Sequence, residues 1–101
     1  MQDRRQKIQR RIDSDLARMA KLGAMLKGTV SEVKLGRRKR GDGQRTAYLL
    51  TYKGEGNRTR SVYVPAHRVA EVGRMISNHR KARAILDRIV ELNVALFKIK
   101  Q

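Results

Sequence analysis

The sequence predicts an α+β fold, ordered α-β-β-β-α, in a single small basic domain spanning 1–101. Three observations predict it. Apolar residues in the first and last parts of the chain recur at helical spacing. The middle part is rich in β-formers and is broken by turn-forming glycines. The core must also be lean, with no Trp and one Phe, so Leu, Ile, Val, Met and Ala on helices have to supply the burial.

The first helix is expected over about residues 2–27. Ile8, Ile12, Leu16, Met19, Leu22 and Leu26 mark its apolar face, while Arg4, Arg5, Lys7, Arg10, Arg11, Arg18 and Lys21 occupy the others. Gly28 is placed as its stop signal, and Gly23 lies inside its last turns at a cost of about 1 kcal/mol relative to Ala. The sheet is expected over about 29–64. Thr29–Leu35 forms the first strand, Arg45–Tyr52 the second and Arg58–Val64 the third, with Lys53-Gly54-Glu55-Gly56-Asn57 as a turn. Two tight connections imply an antiparallel meander. Tyr48, Leu50 and Tyr52 share one face of the second strand and are expected to pack under a helix.

The last helix is expected over about 65–100. It opens at Pro65, a residue suited to a first helical turn, with a bend expected near Gly73 or Ser77-Asn78. Ala82, Ile89 and Leu96 recur every seven residues, as do Ile85, Leu92 and Ile99, giving an a/d pattern of nearly three heptads. The simplest packing lays both helices on one face of the sheet. The long helix should then overhang it and meet either the first helix or a second copy of the chain.

Charge sets the function class. There are 25 Lys and Arg against 9 Asp and Glu, a net charge of +16. Such a surplus opposes compaction by self-repulsion and is offset when the partner is a polyanion. With no cysteine, disulfides and thiolate metal sites are excluded. No apolar run follows Met1-Gln2-Asp3-Arg4-Arg5, and nothing approaches the ~18 apolar residues of a membrane span, so the expected compartment is the cytoplasm.

The leading candidate contact is the segment Gly36-Arg37-Arg38-Lys39-Arg40-Gly41-Asp42-Gly43 between the first two strands. Gathering Arg37, Arg38, Lys39 and Arg40 side by side gains nothing in a free fold. Arginine forks pair bidentately with phosphate, and glycine allows close backbone approach. Arg45, Arg58 and Arg60 on the neighbouring strands extend this cluster. Arg4-Arg5 and Arg10-Arg11 give the first helix two basic pairs, and His79-Arg80-Lys81 forms a third basic cluster. His67 and His79 lie twelve apart, about 120° around a helix, and cannot share a metal. No cofactor is expected. No H-E-x-x-H, Walker loop or paired-carboxylate motif is present, and Asp13 and Asp15 do not face one another, so no enzymatic activity is expected.

Gly28-Thr29-Val30-Ser31-Glu32, Tyr48-Leu49-Leu50-Thr51-Tyr52, Arg58-Thr59-Arg60 with Tyr63-Val64-Pro65, Asn78-His79-Arg80-Lys81 and Leu92-Asn93 carry a resemblance. Over about residues 20–95 the chain resembles an uncharacterised family of small bacterial and phage domains, many encoded near transposases. Members often carry cysteines between the first and second strands, where this chain has Arg37–Arg40 and glycines, so a metal-knuckle role is lost. The resemblance implies a mobile-element or phage setting and no activity.

The expected function is that of a small accessory protein binding structured nucleic acid, RNA ahead of DNA, by phosphate neutralisation and shape. The alternative is a protein–protein adaptor or homodimer acting through Ala82, Ile85, Ile89, Leu92, Leu96 and Ile99. Peripheral membrane binding by the basic first helix is disfavoured, because its apolar face has no aromatic anchor.

Overall fold

The computed structural model describes residues 3–35 and 45–100. Helix α1 spans Asp3–Ala20, strands β1, β2 and β3 span Thr29–Leu35, Arg45–Lys53 and Thr59–Val64, and helix α2 spans Val69–Lys100. This is the expected α-β-β-β-α order. The chain forms two compact units. One is built from the strands and α2 up to Ser77, the other from α1 and α2 from Asn78 onward.

The sheet unit is an antiparallel meander of order β1-β2-β3. Directly opposed residues share a face, so Leu50 aligns with Val30 and Val62, and Tyr48 with Val64. That face is the core. Leu50, Val64, Val72 and Ile76 are buried together, with Leu26, Val30, Tyr48, Tyr52 and Val69 packed around them. Tyr48 and Tyr52 therefore lie under α2, as the alternation predicts. The opposite face carries Thr29, Ser31, Thr51 and Ser61 and the exposed Tyr63. The β2–β3 connection turns where Gly56 and Asn57 both take positive φ, 71° and 61°, a twist suited to a tight hairpin. The Gly54 amide donates to the Arg58 carbonyl at 2.7 Å to close it.

The helical unit is an antiparallel pair of helices. Ile12, Ile85 and Ile89 form its buried centre, flanked by Ile8, Met19, Leu22, Leu92 and Leu96. The heptad positions of α2 thus pack on α1, which is the first of the two partners expected for the overhanging helix. The core cluster of α1 is made with α2 and, among the described residues, contains no strand residue.

The first helix also ends earlier than its periodicity suggests, at Ala20. Gly23 takes φ +89°, outside the helical region, and Asn78 Nδ2 donates to the Ala24 carbonyl at 3.0 Å. Leu22 joins the helical core, whereas Leu26 joins the sheet core. Their four-residue spacing reflects two separate burial sites rather than one helix face. Gly28 is not a helix stop either. It enters β1 at φ +121°, where an added Cβ would strike the Thr51 carbonyl and approach Tyr52 Cβ to 2.9 Å. α2 runs through Gly73 and Ser77-Asn78 as one helix of 32 residues. No helix among the described residues is long and apolar enough to cross a membrane.

Candidate functional site

The spacing of cations along α1 builds the site. Arg4, Lys7, Arg11 and Arg18 fall within about 60° around the helix axis at 100° per residue, forming a basic row beside the apolar row of Ile8, Ile12 and Met19. Because the apolar row faces α2, the basic row stands along the seam between the helices.

A continuous groove follows that seam. At one end Arg18 and Lys21 face Lys81 and Arg88 over Ala84 and Ile85. The middle is bounded by Arg11, Ser14, Asp15, Arg18, Arg88 and Leu92. The far end is lined by Arg4, Lys7, Arg10, Arg11, Leu92 and Ala95. Adjoining stretches share Arg18 and Arg88, then Arg11 and Leu92, so the three concavities follow one another along the seam. Past Ala95 the groove opens onto Glu91, Val94 and Lys98. The small side chains of Ala84 and Ala95 keep the α2 wall low. From Arg4 to Arg18 the basic row runs about 21 Å.

Asp15 lies at the middle of this groove and is buried, with 6% of its surface exposed. Arg88 Nε and Nη2 donate to its two carboxylate oxygens, both at 2.9 Å, and Arg18 Nη1 donates at 3.2 Å. Hydrogen bonding from Arg88 holds the Asp15 carboxyl below its ordinary range; desolvation opposes it as the next largest effect, and the Arg88 charge and Arg18 add to the lowering. Asp15 therefore orients two arginines whose outer surfaces stay half exposed. Arg4, Lys7, Arg10, Arg11, Lys21 and Lys81 form no ion pair among the described residues. The groove is thus a cationic concavity with its positive charge largely unspent.

The groove gathers Arg4, Arg10, Arg11 and Lys81 from among the residues singled out in the sequence. It does not gather the others. Arg5 is half-buried on another side of α1. His79, Arg80 and Lys81 splay apart because consecutive helical residues differ by about 100°, and only Lys81 lines the groove. Arg58 and Arg60 are exposed at the β2–β3 turn of the sheet unit, with Arg60 lying over Gly54. Arg45 opens β2 opposite Leu35. Arg37, Arg38, Lys39 and Arg40 lie outside the described residues. Lys7, Arg18, Lys21 and Arg88 belong to the groove but were not among the sequence candidates. The three on the first segment were detectable as one row with Arg4 and Arg11, at three-, four- and seven-residue intervals. Arg88 gave no such signal.

Among the described residues no cluster of His, Asp and Glu could hold a metal ion. The donors of the groove are nearly all cations, which suits binding of an extended anion. In comparisons with known proteins, no family model, curated protein or solved structure matches this chain.

Proposed function

We infer that this protein binds structured nucleic acid through the cationic groove between α1 and α2, as an accessory protein rather than an enzyme. The observation that carries the reading is the row Arg4, Lys7, Arg11 and Arg18 along one side of the helix seam, with Lys81 and Arg88 across from its Arg18 end and Leu92 and Ala95 across from its Arg4 end. A nucleic-acid strand presents one phosphate per about 3.4 Å, so a 21 Å row matches about six phosphates. Contacts of this kind fix position and orientation with little sequence readout.

RNA is favoured over DNA. The groove is an irregular cationic concavity, suited to shape and phosphate contacts on folded RNA. The α2 residues that form one wall are packed on α1 and cannot enter a major groove as a free recognition helix. Arg58 and Arg60, and the segment 37–40, supply further contacts from the sheet unit. The resemblance to phage and transposase-associated domains adds a mobile-element setting, in the cytoplasm.

The test is binding of a labelled hairpin RNA and a DNA duplex of equal length to the wild-type protein and to a variant carrying Arg4→Gln, Lys7→Gln, Arg11→Gln and Lys81→Gln. The expected result is tighter binding of the RNA and a loss of at least ~100-fold for the variant at low salt. Equal binding by the variant would refute the groove as the contact, and an absence of binding by the wild type would refute the function.

A further inference from the structure

On the helical unit, a second surface has the opposite character. Leu86, Val90, Val94 and Phe97 are exposed, Val90 by 51% and Phe97 by 66%. Their spacing of four, four and three residues places them within about 80° around α2. The heptad residues packed on α1 lie on a different side of the helix, so this stripe is not part of the intramolecular core. Leu86, Val90 and Phe97 line no part of the groove, and only Val94 touches its open end. Leu16 of α1, exposed by 51%, adds a further large apolar group on the helix pair.

Charge identifies the occupant. In a chain of net charge +16, residues 83–98 contain Arg83, Arg88 and Lys98 against Asp87 and Glu91, so with Arg88 paired to Asp15 the two remaining cations are balanced by the two acids. This stretch is therefore a poor place for a polyanion, and two copies can meet there without the repulsion that opposes contact elsewhere. The stripe is also complementary to itself. If two α2 helices pack antiparallel about a two-fold axis at residue 92, Val90 meets Val94 of the second copy, and Leu86 comes within one residue of the level of Phe97. Asp87 and Lys98 lie on one shoulder of the stripe. In that antiparallel register each Asp87 lies within one residue, about 1.5 Å, of the level of Lys98 of the other copy, so the ion pair can form twice. Such an isologous contact closes on itself at two chains.

We propose that the Leu86–Val90–Val94–Phe97 face of α2 docks a second copy of this chain, giving an antiparallel two-fold dimer that carries two cationic grooves. Four side chains from one helix make a small contact beside the about 1,200–2,000 Å² of a standard interface, so a reversible dimer is expected. It does not depend on what the groove binds.

The test is sedimentation velocity on the full chain, freed of nucleic acid, across a micromolar concentration series. The wild type is expected to show a monomer–dimer equilibrium. Val90→Glu, at an exposed site, should raise the dissociation constant by about tenfold or more while leaving the helical circular dichroism unchanged. Asp87→Lys should weaken the dimer through repulsion from Lys98, and Asp87→Lys combined with Lys98→Asp should restore it. A wild type that stays monomeric throughout would mean that something else covers this face, and would overturn the proposal. Dimerisation of Val90→Glu equal to wild type, or failure of the paired exchange to restore association, would also overturn it.

Discussion

Asp15 carries the only buried charge among the described residues, and it stands between two arginines in a groove whose charged lining is otherwise mostly cationic. Its role in stability and its role in the proposed binding therefore have opposite signs. Asp15→Asn removes the carboxylate that orients Arg88 and Arg18, so thermal stability should fall. The same change makes the groove more positive, so affinity for a polyanion should hold or rise. Melting temperature and RNA affinity measured together check this, and a parallel loss of both would show that Asp15 acts only by maintaining the fold. The pH dependence follows from the lowered carboxyl. A carboxylate with a depressed folded-state pKa contributes stability that is fully present above the ordinary value near 4, and that contribution is lost as pH falls through the folded value. The gap in melting temperature between wild type and Asp15→Asn should therefore be constant from pH 7 to about 5 and shrink below about 4. Glu71, held down in the same sense by its bidentate pairing with Arg68, is present in both proteins and drops out of that difference. Two glycines separate backbone need from backbone cost. Gly28→Ala meets both a positive φ and the Thr51 carbonyl and should destabilise strongly. At Gly73 an added Cβ has nothing within 4 Å, so Gly73→Ala should stabilise α2 by about 0.5–1 kcal/mol in denaturant unfolding.

At the scale of elements, each helix serves by the face it buries. Ile85 sits at the centre of the contact between α1 and α2, 4% exposed, so Ile85→Ala should cost about 2–5 kcal/mol. An equivalent truncation of the exposed Leu86 should cost far less, and equal losses at the two positions would contradict the packing. The strands were legible almost to the residue, because alternation, turn glycines and β-formers all agree between positions 29 and 64. The heptad of α2 was legible as a buried seam, since Ala82, Ile85 and Ile89 are spaced for nothing else. What that seam packs against was not legible, because an a/d pattern is the same whether its partner is in the same chain or another. The end of α1 was misread for a related reason. Leu22 and Leu26 keep helical spacing while belonging to different cores, and periodicity alone cannot separate one long face from two adjacent ones. The candidate site was half legible. Paired basics such as Arg10-Arg11 attract notice as neighbours in sequence, whereas a groove is built from residues three, four and seven apart together with Arg88 from a segment 73 residues away from Asp15.

For the whole molecule, a charge of +16 on 101 residues makes salt the most informative variable, because it acts in opposite directions on folding and on binding. In the free protein, cations crowd one another along the groove, and screening relieves that repulsion. The melting temperature should therefore rise as salt is raised from 50 to 200 mM, despite some weakening of the Asp15–Arg88 pair. In the proposed complex those same cations would displace counterions from phosphates, and adding salt would return them. With about six phosphates neutralised, affinity should fall by about a thousandfold over the same interval. Each groove cation replaced by Gln should flatten the plot of log affinity against log salt by about 0.9 on duplex DNA, and by about 0.7 on a single strand. Replacing Arg58 and Arg60 on the sheet unit then measures how much of the contact lies outside the groove. An unchanged slope assigns them none, and a fall as large as that for a pair of groove residues makes the sheet unit an equal partner in binding. A slope near zero for the wild type would remove phosphate neutralisation as the mechanism, since no arrangement of free cations can hold a polyanion without paying back its counterions.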